Sequence, residues 1–134
     1  MSSALIDTPL LLDYLQGDKR AQRAMAAHAH RSISVVTWLE VMSQCPPGLI
    51  EPTRGFLRTF ERLSVSESIA DEAQRLMRAK PGLAQSRALI WATAGVNQLA
   101  FVTVDPAHVD KLDRSVLVPY RRGAQADCEG GAAR

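Results

Sequence analysis

Short apolar runs alternate along the chain with longer stretches of helical periodicity. Ala4-Leu5-Ile6 is a compact apolar run closed by Asp7, suited to a buried strand. Thr8-Pro9 then opens a helix, with Thr8 as the expected N-cap and Pro9 at the first helical position, and that helix ends near Gly17. Asp18–His28 is alanine-rich and basic, a second helix capped by Asp18. Ile33-Ser34-Val35-Val36 is β-branched enough for a strand, and Thr37–Met42 reads as the helix it feeds, stopped by Cys45-Pro46-Pro47-Gly48.

In the second half, Pro52–Leu63 places Phe56, Phe60 and Leu63 on one helical side and Arg54, Arg58 and Arg62 on the other. Ile69, Ala73, Leu76 and Met77 form the apolar stripe of an amphipathic helix between Glu67 and Lys80. Ser86–Asn97 is apolar almost all round, as a central buried helix is. Leu99–Thr103 and Ser115–Val118 read as strands. No internal repeat is present. Such alternation predicts one α/β domain over residues 1–120 with a mostly parallel sheet. From Arg121 onward the chain turns polar, small and glycine-containing, and residues 121–134 are expected to form a flexible tail.

A chain of 134 residues suits a single core, and 46% hydrophobic with 22% charged residues is an ordinary globular composition. A net charge of +2 does not by itself argue for nucleic acid. Cys45 and Cys128 are distant and lack metal-ligand spacing, so a structural disulfide is not expected and a reducing cytoplasm fits better. The longest N-terminal apolar run, Pro9–Leu12, is flanked by Asp7 and Asp13, too short and too charged for a signal peptide or membrane span.

The chemistry concentrates on three acids. Asp7 follows the first strand, Asp105 follows the strand at Leu99–Thr103, and Glu40 lies about one turn into the helix after the second strand. In a parallel α/β sheet all three reach the carboxyl edge, where ligands bind. Carboxylates crowded there raise each other's pKa and call for compensation, most simply a hard divalent cation such as Mg²⁺ or Mn²⁺. Such an ion activates water and stabilises charge on a phosphodiester. Taken singly, each acid has a blander reading as a helix cap, a solvated residue or a turn.

The segments Leu5–Leu15, Ile33–Val41, Arg87–Ala94 and Phe101–Asp105 resemble, in order and spacing, the PIN domain of VapC-type toxins. The likeness spans residues 4–119. It implies a three-layer α/β/α sandwich, cleavage of RNA with Mg²⁺ or Mn²⁺, a homodimer, and an antitoxin partner that blocks the site. By resemblance Asp7, Glu40 and Asp105 are the catalytic acids, Asp7 and Asp105 hold the metal, and Glu40 orients or deprotonates the attacking water. Two positions depart from the family pattern: its asparagine is Pro9 here, and the aspartate that opens its Ala-Leu-Ile helix is Arg87. An arginine ligates no cation but pairs bidentately with carboxylates, so it is expected to bind Asp7 or Asp105 and take over the metal's neutralising role; the alternative is that it swings out to solvent and leaves a weakened three-acid site. The expected function is therefore a toxin-lineage ribonuclease with weakened or lost activity. The alternative is a catalytically silent binding module on the same fold.

Other candidates rank below these. Asp110 is the best substitute acid, ahead of Asp71, Glu72 and Asp113, and His108 is a further candidate ligand. Asp13 is expected at solvent or an interface. The Arg54/Arg58/Arg62 stripe, with Arg20, Arg23 and Arg31, is a candidate RNA track or, more simply, a solvated face. A phospho-receiver domain would also gather acids at a strand edge, but it needs a lysine after a late strand, which this sequence lacks.

Overall fold

The computed structural model describes residues 3–122. Five parallel strands, β1 (Ser3–Ile6), β2 (His30–Ser34), β3 (Glu61–Leu63), β4 (Ala100–Val102) and β5 (Val116–Leu117), form one sheet in the order β3-β2-β1-β4-β5. Helices cover both faces: α1 (Thr8–Leu15), α2 (Lys19–Ala26), α3 (Val35–Gln44), α4 (Ile50–Leu57), α5 (Glu67–Ala79) and α6 (Gln85–Val96). A 3-10 turn, Pro47–Leu49, leads into α4. The result is a three-layer α/β/α sandwich, and a fully parallel sheet requires this covering on both faces.

Two cores explain the layers. On one face Leu10 and Leu11 of α1, Ala21 and Met25 of α2, Val41 of α3 and Leu57 of α4 pack on Ala4, Ile6 and Ile33. On the other, Ile69, Ala73 and Leu76 of α5 and Ala88, Ile90, Trp91 and Ala92 of α6 pack on Leu5 and Phe101, with the Trp91 and Phe101 rings 5.6 Å apart. The strict period-2 alternation of β1, Leu5 to one core and Ala4 and Ile6 to the other, makes it the central strand. No helix among the described residues is long and apolar enough to cross a membrane.

Several local expectations shift. Asp7, not Thr8, caps α1, its carboxylate accepting the Thr8 N–H. Val35 and Val36 begin α3 rather than ending β2, because the Ser34 hydroxyl accepts the Val36 N–H and caps the helix there. The expected helix over Pro52–Leu63 stops at Leu57, and Glu61–Leu63 becomes the edge strand β3, paired residue for residue with Ser32–Ser34. Its charged outer positions discourage further strand addition. The arginine stripe dissolves with that helix: Arg54 pairs with Glu51 and Arg62 stacks over Trp38 at 4.2 Å.

Asp13 is buried, contrary to its expected place at solvent or an interface. It accepts a 2.7 Å hydrogen bond from the Tyr120 hydroxyl and pairs at 2.8 Å with Arg122. The Arg122 N–H also donates to Val104 O, so the chain is still tied to the body two residues into the expected tail; residues 123–134 lie outside the described residues. Burial and the Asp13 carboxylate push the Tyr120 phenol well above its usual range. Tyr120→Phe leaves that buried carboxylate one donor short and is expected to cost about 1–2 kcal/mol, read as a lower urea midpoint at unchanged slope.

Candidate functional site

Strand pairing builds the site. β1 and β4 are neighbours, and the register Ile6↔Val102 places the residues that follow them side by side at the carboxyl edge. The Asp7 N–H extends this pairing by donating to Val102 O at 2.9 Å. Asp7, Thr8, Pro9, Glu40, Gln44, Ser86, Arg87, Ile90 and Asp105 line one cleft of about 210 Å³. The three acids singled out in the sequence therefore share a cleft, and both departures from the family pattern line it too.

Asp7 is the deepest, 2% exposed. One carboxylate oxygen accepts the Thr8 N–H at 2.9 Å and the other the Thr103 hydroxyl at 2.6 Å. Burial raises the Asp7 pKa above its ordinary value. The Thr103 hydrogen bond, the Arg87 charge and the Thr8 N–H pull against that rise, and the Glu40 charge adds to it. Thr103, itself fully buried, also accepts the Asp105 N–H at 3.1 Å, so one hydroxyl fixes Asp7 and the backbone carrying Asp105. Reasoning from the acids alone misses Thr103; its signal is a hydroxyl two residues before Asp105 at a buried strand end.

Glu40 sits on the cleft side of α3. Its Oε1 accepts the Thr8 hydroxyl at 2.7 Å, and the Thr37 hydroxyl lies 3.1 Å from that of Thr8. With its one proton committed to Glu40, Thr8 accepts from Thr37. Pro9, in the first turn of α1, offers the cleft no donor.

Arg87 lies in the first turn of α6, whose N-cap, Ala84, supplies no side-chain hydrogen bond. A cation there opposes the helix dipole by roughly 0.3–1 kcal/mol. The offset is Asp105: one guanidinium nitrogen is 2.6 Å from Asp105 Oδ2, and the other donates to the Asp105 backbone carbonyl at 2.7 Å. Arg87 Nε is buried without a hydrogen-bond partner, and the guanidinium carbon lies 5.8 Å from the Trp91 ring. Asp105 Oδ1 accepts the Ala107 N–H at 3.0 Å, which leaves both of its oxygens engaged.

A hard divalent cation needs several free oxygen ligands. The oxygens of Asp7 and Asp105 are taken by Thr8, Thr103, Arg87 and Ala107, and among the described residues no group of three or more His, Cys, Asp or Glu is placed to hold one ion. The residues as arranged do not fit such an ion, because the Arg87 guanidinium stands 2.6 Å from Asp105 and repels a second cation there. The substitute candidates do not enter the cleft. Asp71 is exposed, Glu72 pairs with Arg75, Asp110 faces Lys80, Asp113 bonds Ser115, and His108 reaches Pro81 O.

No protein-family model matches the sequence, and no curated protein matches it. Solved structures match closely. A chain of a toxin–antitoxin complex from Klebsiella pneumoniae is 31% identical, with 89% of this chain and 99% of that one covered at a TM-score of 0.80. FitAcB from Neisseria gonorrhoeae is 19% identical, with coverage of 87% and 97% and a TM-score of 0.70. DNA-bound VapBC from Salmonella typhimurium is 16% identical, with coverage of 90% and 96% and a TM-score of 0.69. The last two attest to the fold alone.

Because its folded-state pKa is raised, Asp7 works against folding where the unfolded carboxyl is ionised. Its effect is neutral below the ordinary carboxyl value of 3.8 and grows unfavourable as pH rises toward the folded value. Asp7→Asn is therefore expected to raise the melting temperature at pH 7, with the gain shrinking toward pH 3.5 in a thermal scan across pH.

Proposed function

The chain belongs to the VapC-type PIN-domain family of toxin–antitoxin systems, and on that premise we propose that its RNA-cleaving activity is weakened or lost because Arg87 holds the charge a metal ion would hold. The observation that carries this is the double contact of Arg87 with the Asp105 carboxylate and backbone carbonyl, 2.6 and 2.7 Å. In an active relative Asp7 and Asp105 would supply metal oxygens and Glu40 would orient or deprotonate water. Here Asp105 is committed to Arg87, Asp7 is buried between Thr8 and Thr103, and Glu40 is left with the Thr8 hydroxyl.

What such a protein retains is binding. Beside the acidic cleft, and sharing Gln44 with it, runs a groove of about 510 Å³ with Leu12, Leu15, Val41 and Leu49 among its walls and Arg122 at its side. Leu15 and Leu49 are exposed there. An apolar groove of this kind receives an amphipathic helix, and an antitoxin partner supplies one on the family premise. The protein then acts in the cytoplasm as a homodimer that engages its antitoxin, with RNA as a residual ligand or none.

Cleavage of a structured RNA panel, with Mn²⁺ and with chelator, tests the reading. The native protein is expected to be silent. Arg87→Asp is expected to gain Mn²⁺-dependent cleavage of roughly 100-fold or more, the scale of several kcal/mol of charge stabilisation, and to lose it again on adding Asp7→Ala. Robust metal-dependent turnover by the native protein, abolished by Asp7→Ala, would overturn it.

A further inference from the structure

The loop between β4 and β5, residues 103–115, carries Asp105 near its start and touches the corner between α5 and α6 at three points. Nearest the cleft, Arg87 of α6 grips Asp105. Farther out, His108 Nε2 lies 3.1 Å from the Pro81 carbonyl, which fixes the ring as the Nε2–H donor. At the far side Lys80 lies 4.0 Å from Asp110. Lys80 and Arg87 also approach the same Trp91 ring, at 5.1 and 5.8 Å, so the outermost contact and the lock share one aromatic base.

The backbone is shaped for this docking. His108 adopts a left-handed φ of 67°, costly for a residue with a Cβ and tolerated where surrounding contacts over-determine it. Opposite it Gly82 has φ +88°, and a Cβ added there would lie 3.4 Å from His108 Nε2. The corner thus needs glycine for its own turn, and the imidazole packs directly over it. Inside the loop, the Ala107 N–H is held by Asp105 Oδ1, the Val109 N–H by Pro106 O and the Asp113 N–H by Asp110 O, which makes the segment one short-range unit. Against this, Leu112 at its tip is 91% exposed, and Val109, half-buried against the α5/α6 core, is the loop's main apolar anchor. Few buried contacts and a handful of polar tethers are the physical profile of a segment that opens as a unit.

We propose that the β4–β5 loop is a strap docked on the α5–α6 corner, and that undocking of the whole strap opens the acidic cleft by carrying Asp105 off Arg87. The inference rests on the reading that the Arg87–Asp105 contact closes the site, and it makes His108 and Lys80 positioning residues that act through the strap. Whatever weakens the outer tethers weakens the lock, although those tethers lie outside the cleft.

Native-state amide hydrogen exchange on the full chain tests this without RNA or metal, so its outcome is separate from that of the cleavage assay. The variants are His108→Asn, which keeps a residue tolerant of left-handed backbone but removes the reach to Pro81; Lys80→Met; and Arg87→Met. Each is expected to speed exchange at Ala107, Val109 and Asp113 together, on the order of tenfold for His108→Asn and Arg87→Met and about two- to threefold for Lys80→Met, which removes only a solvent-screened pair. The double variant His108→Asn/Arg87→Met should approach the product of the singles at all three amides, because both substitutions act on one opening equilibrium. The Asp7 amide, bonded to Val102 O, should stay protected and certify the fold; a variant that loses this protection is set aside and the other two decide. Acceleration confined to the amides beside each lost contact, with the double variant no faster at any amide than the nearer single, overturns the proposal.

Discussion

The convergence of Asp7, Glu40 and Asp105 at one end of a parallel sheet creates a charge problem that the surrounding structure has to solve. Interaction between like charges strengthens as water is removed, and Asp7 is almost wholly buried. The solution here is internal. The Arg87 guanidinium reaches across from α6 and takes Asp105 by both side chain and backbone, while hydroxyls from Thr8 and Thr103 occupy Glu40 and Asp7. Everything that places Arg87 follows from this need, including its unfavourable position in the first turn of a helix without a side-chain cap. A cation that would be a defect on an isolated helix becomes the counter-charge of the cleft.

The sandwich and the location of the cleft were legible in the sequence because both follow from short-range regularities. Apolar runs of strand length, amphipathic helical stripes and acids just past strand ends fixed the layers and the carboxyl edge. The misread edge strand and the misplaced Asp13 share one physical cause, tertiary pairing that overrides local pattern. Phe56, Phe60 and Leu63 keep helical spacing, yet Phe60 ends up on the α1/α2 core and Glu61–Leu63 pairs with β2, because the open edge of β2 is satisfied that way. Phe56 instead stacks on Tyr14 and meets Phe60 edge-on, both at 5.2 Å, contacts no spacing rule reveals. Asp13 looked like a surface residue because its partners, Tyr120 and Arg122, lie more than a hundred positions away. Val35 and Val36 looked extended because β-branching outweighed the Ser34 cap.

Within the cleft, the identity of the acids and the presence of a foreign cation were readable from residue types in order. Which carboxylate the arginine would take was not. That choice depends on Thr103, whose hydroxyl bonds Asp7 and whose oxygen orients the Asp105 backbone, so that Asp7 is already satisfied when Arg87 arrives. The outer tethers of the β4–β5 loop were equally invisible. His108 and Asp110 suggested ligands by their chemistry, yet their partners are Pro81 and Lys80 on the far side of the corner.

The central claim is that a guanidinium, not a metal ion, is the counter-charge to Asp105 in this cleft, and binding of Mn²⁺ to the native chain tests it most directly. Free Mn²⁺ can be followed by electron paramagnetic resonance as the protein is titrated at low ionic strength. The account predicts no saturable site for the native protein at millimolar Mn²⁺ and the appearance of one on Arg87→Asp. Stoichiometric binding by the native chain, lost on Asp7→Ala, would contradict it.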